Sequence, residues 1–407
     1  MRRSLPASLA VPLLLVLLSG CGKAGSSVPG GGPLRKLAPV EAQGAISVTT
    51  RNTTRLGGAS TTVDAAAVAR AVYPGLTAGS RPRAVVLVNR REWAAALIAS
   101  ALSGAPLGAP ILYTEGNTLP SVTLAALKAM SPTGSSALGG AMVVRVGTFA
   151  KLPAPYASHV LEVPGGEPAA IGAMVESILA RAQGSRPRRV IVLDVAAPLA
   201  MQMPAAGLSA ESGAPILAST GGALPAATES TLQTLGHPSI YVLNASNIST
   251  AALGALARLG SVTRIPGPSA SEEQTPSANS IAVARYTDGF FGWGVKEPGH
   301  GLVFANAGRP LDAPAAALLS ATGEYGPMLL LGSADNVGPA LSSYLADIQP
   351  AYSSSPEFSA VKGVYNHGWL IGDERAISLV TQAQLDSMLE ISYRKGGSEE
   401  AAAATPE

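Results

Sequence analysis

Short apolar runs alternate with longer alanine-rich stretches along most of the chain. "AVVLV" (Ala84–Val88), "APILYT" (Ala109–Thr114) and "AMVVRVG" (Ala141–Gly147) are nearly unbroken apolar runs of strand length, as expected for strands buried on both faces. Between them, "REWAAALIASALSG" and "LPSVTLAALKAM" read as helices. Gly104 stands near the C-terminal stop of the first, and Pro120 in the first turn of the second. A further helix is predicted from about Thr62 to Val72, after a β-rich start at Ser47 and a turn at Gly57-Gly58. Strands alternating with helices at this spacing imply right-handed βαβ units and a mostly parallel sheet.

The same order then recurs. "RPRAVVLV" begins at Arg81 and "RPRRVIVL" at Arg186, and the "API" at Ala109 returns at Ala214, so both intervals are 105 residues. The second unit supplies strands at Arg189–Asp194, Ala214–Ser219 and Ser239–Asn244, with helical segments between them. A third unit is looser. "SVTRIPGPSASEEQTPSANSIAVARY" from Ser261 parallels the segment that starts at Asn52. "GLVFAN" (Gly301–Asn306), the helix of "RPLDAPAAALLSA", "GPMLLL" (Gly326–Leu331), the helix "LSSYLADI" and a last strand with a polar loop after Gly363 follow in turn. The pattern thus predicts one α/β module used three times: residues 46–142, 143–260 and 261–392.

Charged residues make up 13% of the chain, against roughly 25% in ordinary globular proteins. Apolar residues make up 47%, much of it alanine, so there is ample material for buried cores. The formal net charge is +2 and the cations are scattered, with no basic stripe interleaved with aromatics. Nucleic acid is therefore not an expected partner.

The N-terminus changes the picture most. Arg2 and Arg3 precede an apolar run, Leu9 to Leu18, too short to span a bilayer. Next comes "LSGC", Leu18 to Cys21, which resembles the lipobox of bacterial lipoproteins. The resemblance implies a signal peptide over residues 1–20 and a diacylglyceryl group on the thiol of Cys21. A palmitate-type lipid there would hold the protein on the outer face of the cell membrane. Cys21 is the single cysteine, so no internal disulfide can form. Residues 21–45 read as a Gly/Pro/Ser-rich tether and 393–407 as an unstructured tail.

The repeated segments are similar to the cell wall-binding repeat 2 family of bacterial surface proteins and lipoproteins. The carrying residues are "TRLGGASTTVDAAAVARAVYPG" (Thr54–Gly75), "TRIPGPSASEEQTPSANSIAVA" (Thr263–Ala284), "RPLDAPAAALLSA" (Arg309–Ala321), and the "APILYTEGNTLP" and "APILASTGGALP" segments. They look like the family's opening "TRIAG-x-DRYETAVAIA", its "FPDALAASPLA" and its "APILLT-x-x-x-x-LP". The resemblance spans residues 47–391 and implies three tandem Rossmann-like modules packed around a pseudo-threefold axis in a monomer. It also implies non-covalent attachment to an anionic wall polymer or peptidoglycan. The departures are plain: "DRYET" becomes "STTVD" at Ser60–Asp64, and the aspartate of "DAL" is kept only as Asp312, with Ala95 and Ala200 at the matching places.

Polymer attachment of this kind would use guanidinium forks on phosphate or carboxylate. The matching Arg55 and Arg264 are the candidates, with Asp312 a third polar position. Each also has an ordinary reading, the arginines capping strand ends or pairing with a carboxylate, and Asp312 capping a helix N-terminus. Enzyme chemistry finds little support. His159, His237, His300 and His367 lack metal-ligand spacing, and no "GxSxG", "GxGxxG" or "GxxxxGK[ST]" motif follows a strand, so neither metal nor cofactor is expected. The densest polar constellation is His367 with Asp373, Glu374 and Arg375, read as one loop. The expectation is a non-enzymatic, lipid-anchored envelope protein; the alternative is a lipoprotein receptor for a small solute, which would show two similar lobes.

Overall fold

The computed structural model describes residues 46–220, 222–265, 275–321, 326–351 and 365–392. All belong to one compact unit, Pro39–Glu407. Cys21, the leader and most of the tether and tail lie outside the described residues.

The apolar runs become three sheets with one strand order. The first is β4 (Ile111–Thr114), β3 (Val85–Asn89), β5 (Val143–Val146) and β6 (Val160–Val163), all parallel. The second is β8 (Ile216–Ser219), β7 (Arg189–Asp194), β9 (Ser239–Leu243) and β10 (Ser261–Ile265), again all parallel. The third is β12 (Met328–Leu331), β11 (Gly301–Asn306), β13 (His367–Ile371) and β2 (Thr53–Gly57), with β1 (Ile46–Thr49) added antiparallel on β2. Each sheet therefore takes three strands from its own module and a fourth from the chain that follows. For the third sheet that fourth strand comes from the N-terminal end, so the chain closes into a ring.

This arrangement crosses the repeat boundaries read from the sequence. Val143–Val146 pairs within the first sheet and Ser261–Ile265 within the second, while Thr53–Gly57 belongs to the third. The fourth strands lead into helices that bridge neighbouring modules. These are α1 (Thr61–Val72), α4 (Pro168–Gln183) and α9 (Pro276–Arg285). The termini of these helices are locally specified. Ser60 and Thr275 accept from Val63 N and Ala278 N as N-caps, Pro168 and Pro276 open α4 and α9, and Gly184 ends α4 in the left-handed region. The sequence pattern did not single out β6, α8 (Thr250–Leu259) or α12 (Leu379–Leu389).

Both faces of each sheet are buried, as the unbroken apolar strands require. Along β7, Ile191 and Leu193 enter the large core shared by all three modules, while Val190 and Val192 enter a separate outer core. Along β11, Val303 and Ala305 face the shared core, and Leu302 and Phe304 the outer one. The centre is made by one helix from each module: α2 (Trp93–Ala99) with its 3-10 extension Ser100–Ser103, α6 (Pro204–Ser212) and α10 (Asp312–Ala321). Each packs against the other two, and every residue of α10 is buried. Alanine, serine and glycine dominate here because the backbones approach closely. A Cβ on Gly104 would sit 1.8 Å from the Ala210 carbonyl oxygen, and one on Gly207 would sit 2.6 Å from Ser320 Oγ.

Gly104 has ordinary backbone angles (φ −85°, ψ 173°), so substitution there tests packing alone. Gly104→Ala is expected to cost at least about 2 kcal/mol by overpacking. Gly254→Ala, on α8 with nothing within 4 Å of the added carbon, is expected to gain about 0.5–1 kcal/mol. Urea unfolding midpoints of the two variants moving in the same direction would contradict this packing account.

Candidate functional site at the ring closure

Two of the three candidates, Arg55 and Asp312, come together where β2 joins β13. Asp312 opens α10, but its carboxylate turns to Arg309, whose Nε donates to Oδ2 at 2.8 Å. The other arm of Arg309 donates to Asp64 Oδ2, on the N-terminal helix α1. Asp64 Oδ1 accepts from the Gly58 amide at 2.7 Å. Gly57 has φ +140°, and any side chain there would run into Asp64 and the Gly372 backbone. The Asp64 and Asp312 carboxyls are fully enclosed, and the Arg309 side chain is 21% exposed at the rim. Tyr113, from the first module, donates from its hydroxyl to the Leu311 carbonyl at 2.6 Å.

Two carboxyl groups share one guanidinium, so burial forces a proton into the cluster. Burial pushes Asp64 up to about 9, with Asp312 beside it pushing further and Arg309 and the Gly58 amide opposing. Burial raises Asp312 as well, against Arg309. With Asp64 holding its proton, one carboxylate remains to face the Arg309 guanidinium. Burial works against the charge on Arg309, but Asp312 and Asp64 hold it more firmly protonated than usual. A neutral set results, one carboxylate and one guanidinium, which is the arrangement that buried charges tolerate.

Arg55 sits beside this cluster and is 2% exposed. Its Nε and Nη2 donate to Gln382 Oε1 (3.0 and 2.9 Å), its Nη1 to the Gly372 and Asp373 carbonyls (3.0 and 2.9 Å) and its Nη2 to the Ile377 carbonyl (2.7 Å). Burial lowers its pKa, with Glu374 and Asp373 opposing. Every fork is spent on the chain's own loop and α12, so in this structure Arg55 acts as a clasp and leaves no donor for a polymer. Asp312 likewise faces Arg309, and its carboxylate does not cap the helix. Arg264 lies elsewhere, exposed on β10, the edge strand of the second sheet. The expected polar loop also divides, because His367 starts β13, with Nε2 3.1 Å from Thr54 Oγ1, while Asp373 and Arg375 pair beyond its other end. Among the described residues no group of three His, Cys, Asp or Glu side chains could hold a metal ion. No helix there is long and apolar enough to cross a membrane.

Equivalent positions show how local the cluster is. The Gly372, Asn244 and Gly147 amides donate to Leu56, Ile265 and Val163, so Arg55, Arg264 and Glu162 correspond. Glu162 pairs across the strand with Arg145. The first-turn bonds from Asp64, Asn279 and Ile171 to Ser60, Thr275 and Glu167 match these three residues. The bonds from Arg309, Ala197 and Glu92 to Asn306, Asp194 and Asn89 match three more. Only one of three junctions carries the acidic pair and its arginine. At a second, Asn279 and Asn244 donate their amides to the Met201 carbonyl (2.8 and 2.7 Å). The third offers Ile171. Asp64 and Arg309 are not among the site residues read from the sequence, although each stands at the head of an alanine-rich run.

Neither a family model nor a curated protein matches the sequence. Among solved structures, the fold is similar to two Clostridium difficile cell wall proteins. Cwp6 matches with a TM-score of 0.62 and 15% identity over 86% of this chain and 52% of that one. Cwp8 matches with a TM-score of 0.60 and 17% identity over 84% of this chain and 51% of that one. The chain thus spans about half the length of each.

The cluster predicts a pH response. Asp64 holds its proton in the folded state up to about pH 9 but releases it near pH 4 when unfolded. Folding takes up a proton in that window, so the stability contributed by the pair is full below about pH 4 and is lost as pH rises toward 9. Asp64→Asn, which installs the amide found at Asn279, leaves Asp312 alone with Arg309. Its melting temperature should fall less than that of the unaltered chain between pH 6 and 9. Parallel curves would overturn the account of a buried proton on Asp64.

Proposed function

We propose that the chain is a non-enzymatic protein of the bacterial cell envelope. In this reading Cys21 carries a lipid that holds it to the outer face of the membrane, and its three modules contact a wall polymer without covalent attachment. The observation that carries the reading is the three-module α/β architecture, common to this chain and to two cell wall proteins, joined to the repeated "TRLGG" and "API…LP" segments. Anchoring is supported by the "LSGC" ending of the leader and the lone cysteine within it. A monomer is supported by the ring, because the third sheet receives its fourth strand from its own chain. The same feature disfavours a two-lobed solute receptor, whose halves would leave no place for a third equivalent sheet.

Two experiments test the two halves. Cys21→Ala in the full chain should abolish incorporation of labelled palmitate and move the protein from the membrane fraction to the medium or periplasm; continued labelling would remove the anchor. The unit Pro39–Glu407 should sediment with purified wall sacculi, less so with rising salt, and not with sacculi stripped of their anionic polymers. Failure to bind either preparation would end the wall-contact reading.

A further inference from the structure

The loop from Ser185 to Arg188 leads from α4 into β7, and with Arg189 it lines a cleft of about 490 Å³. Gln183, Ser212 and Gly213, at the ends of α4 and α6, complete the lining. Three arginines thus fall within four residues, but they are not equivalent. Arg186 donates to the Thr234 carbonyl in the last turn of α7 (Ala226–Leu235). Its counterpart Arg81 does the same for α3 (Ser121–Met130), with Nε 2.7 Å from the Ser131 carbonyl. Both are cations set against helix C-termini, a structural use. The Arg188 and Arg189 side chains are exposed and make no hydrogen bond or ion pair with any described residue.

The neighbouring acids do not cancel this charge. Glu211 lies within electrostatic reach of Arg189, and Glu176 of Arg186; burial raises both carboxyls and the arginines oppose it. Even with both acids ionised, the three guanidinium groups outnumber them by one. The first module lacks the feature. There Arg83, the counterpart of Arg188, is met by the Pro106 carbonyl at 3.5 Å, and buried Ala84 stands in place of Arg189. The connection that carries Pro106 runs from Gly104 to Pro110, whereas in the second module α6 reaches β8 through only Gly213 to Pro215. The shorter connection leaves the second module's cleft uncovered. In the third module His300 and Gly301 take the two positions.

Each free guanidinium offers a fixed fork of N–H donors suited to an oxyanion. Consecutive residues entering a strand send their side chains in diverging directions, which suits two successive anions of a chain better than one small anion. We propose that the cleft binds a linear polyanion, with Arg188 and Arg189 holding successive backbone oxyanions. This deepens the wall-contact reading and rests on it for the biological source of the polymer.

The test uses Pro39–Glu407 and two labelled probes, poly(glycerol phosphate) and polygalacturonate, with anisotropy titrations across a salt series. Arg188→Gln with Arg189→Gln should weaken binding by about tenfold or more and lower the slope of log Kd against log salt by about two, roughly one per arginine. Arg188→Lys with Arg189→Lys should keep most of the salt slope while losing affinity, and Arg83→Gln should change neither. Binding of the first probe alone identifies phosphodiesters, and of the second alone carboxylates. Unchanged affinity and slope in the double Gln variant, while the unit still sediments with sacculi, would overturn the cleft and leave wall contact standing. Loss of probe binding in that variant, with no sedimentation by the unaltered unit, would keep the cleft and overturn wall contact. No binding of either probe by the unaltered unit at low salt would end the proposal.

Discussion

The parallel pairing of β2 with β13 is the constraint from which the rest of the architecture follows. It joins residues more than 300 positions apart, Leu56 with Ile371, and turns three consecutive modules into a ring. Once β2 is placed, α1 must lie between the third and first modules, as α4 and α9 lie at the other two junctions. Loop closure over such a distance costs entropy. Among described residues, this junction also holds the one buried arginine, Arg55, spent on carbonyls, and Arg309, spent on two acids. A polar cluster is directional where an apolar contact is not, so it defines a single register for the closing strand. The central helices can then approach backbone to backbone, because alanine, serine and glycine leave nothing between them.

Near-symmetry makes the differences between junctions informative. At the same structural position stand Asp64, Asn279 and Ile171, so one scaffold tolerates a buried acid, a neutral amide or a methyl-bearing side chain. The arginines divide in the same manner. Arg55 and Arg264 occupy equivalent strand positions in the same Thr-Arg pair, yet α12 and its preceding loop cover the first and the second remains on an edge.

Most strands and helices were legible because a fully buried strand must be apolar along its length; the half-exposed β6 escaped notice. The repeat made the succession of strands and helices in each module legible, but not the order of the strands within a sheet. The partner of the first strand was not legible, since hydrophobic periodicity records which faces are buried and says nothing of which strand lies alongside. For the same reason Arg55 and Arg264 looked alike, and His367 seemed close to Asp373 when the length of β13 separates them. Asp64 carried a faint signal, an acid at the head of "DAAAVA", which only the fold connects with Arg309.

The β1–β2 hairpin has a mechanical consequence. Its open end is Ile46 against Gly57, and its turn lies beyond Thr49 and Thr54. A pull on the residues before Ile46 therefore acts on the ladder in a peeling direction, breaking one pair at a time at low force. The parallel ladder between β2 and β13 is loaded only after β1 has come away. The hairpin geometry thus puts β1, and not the ring-closing ladder, first in line for any load arriving from the N-terminal side.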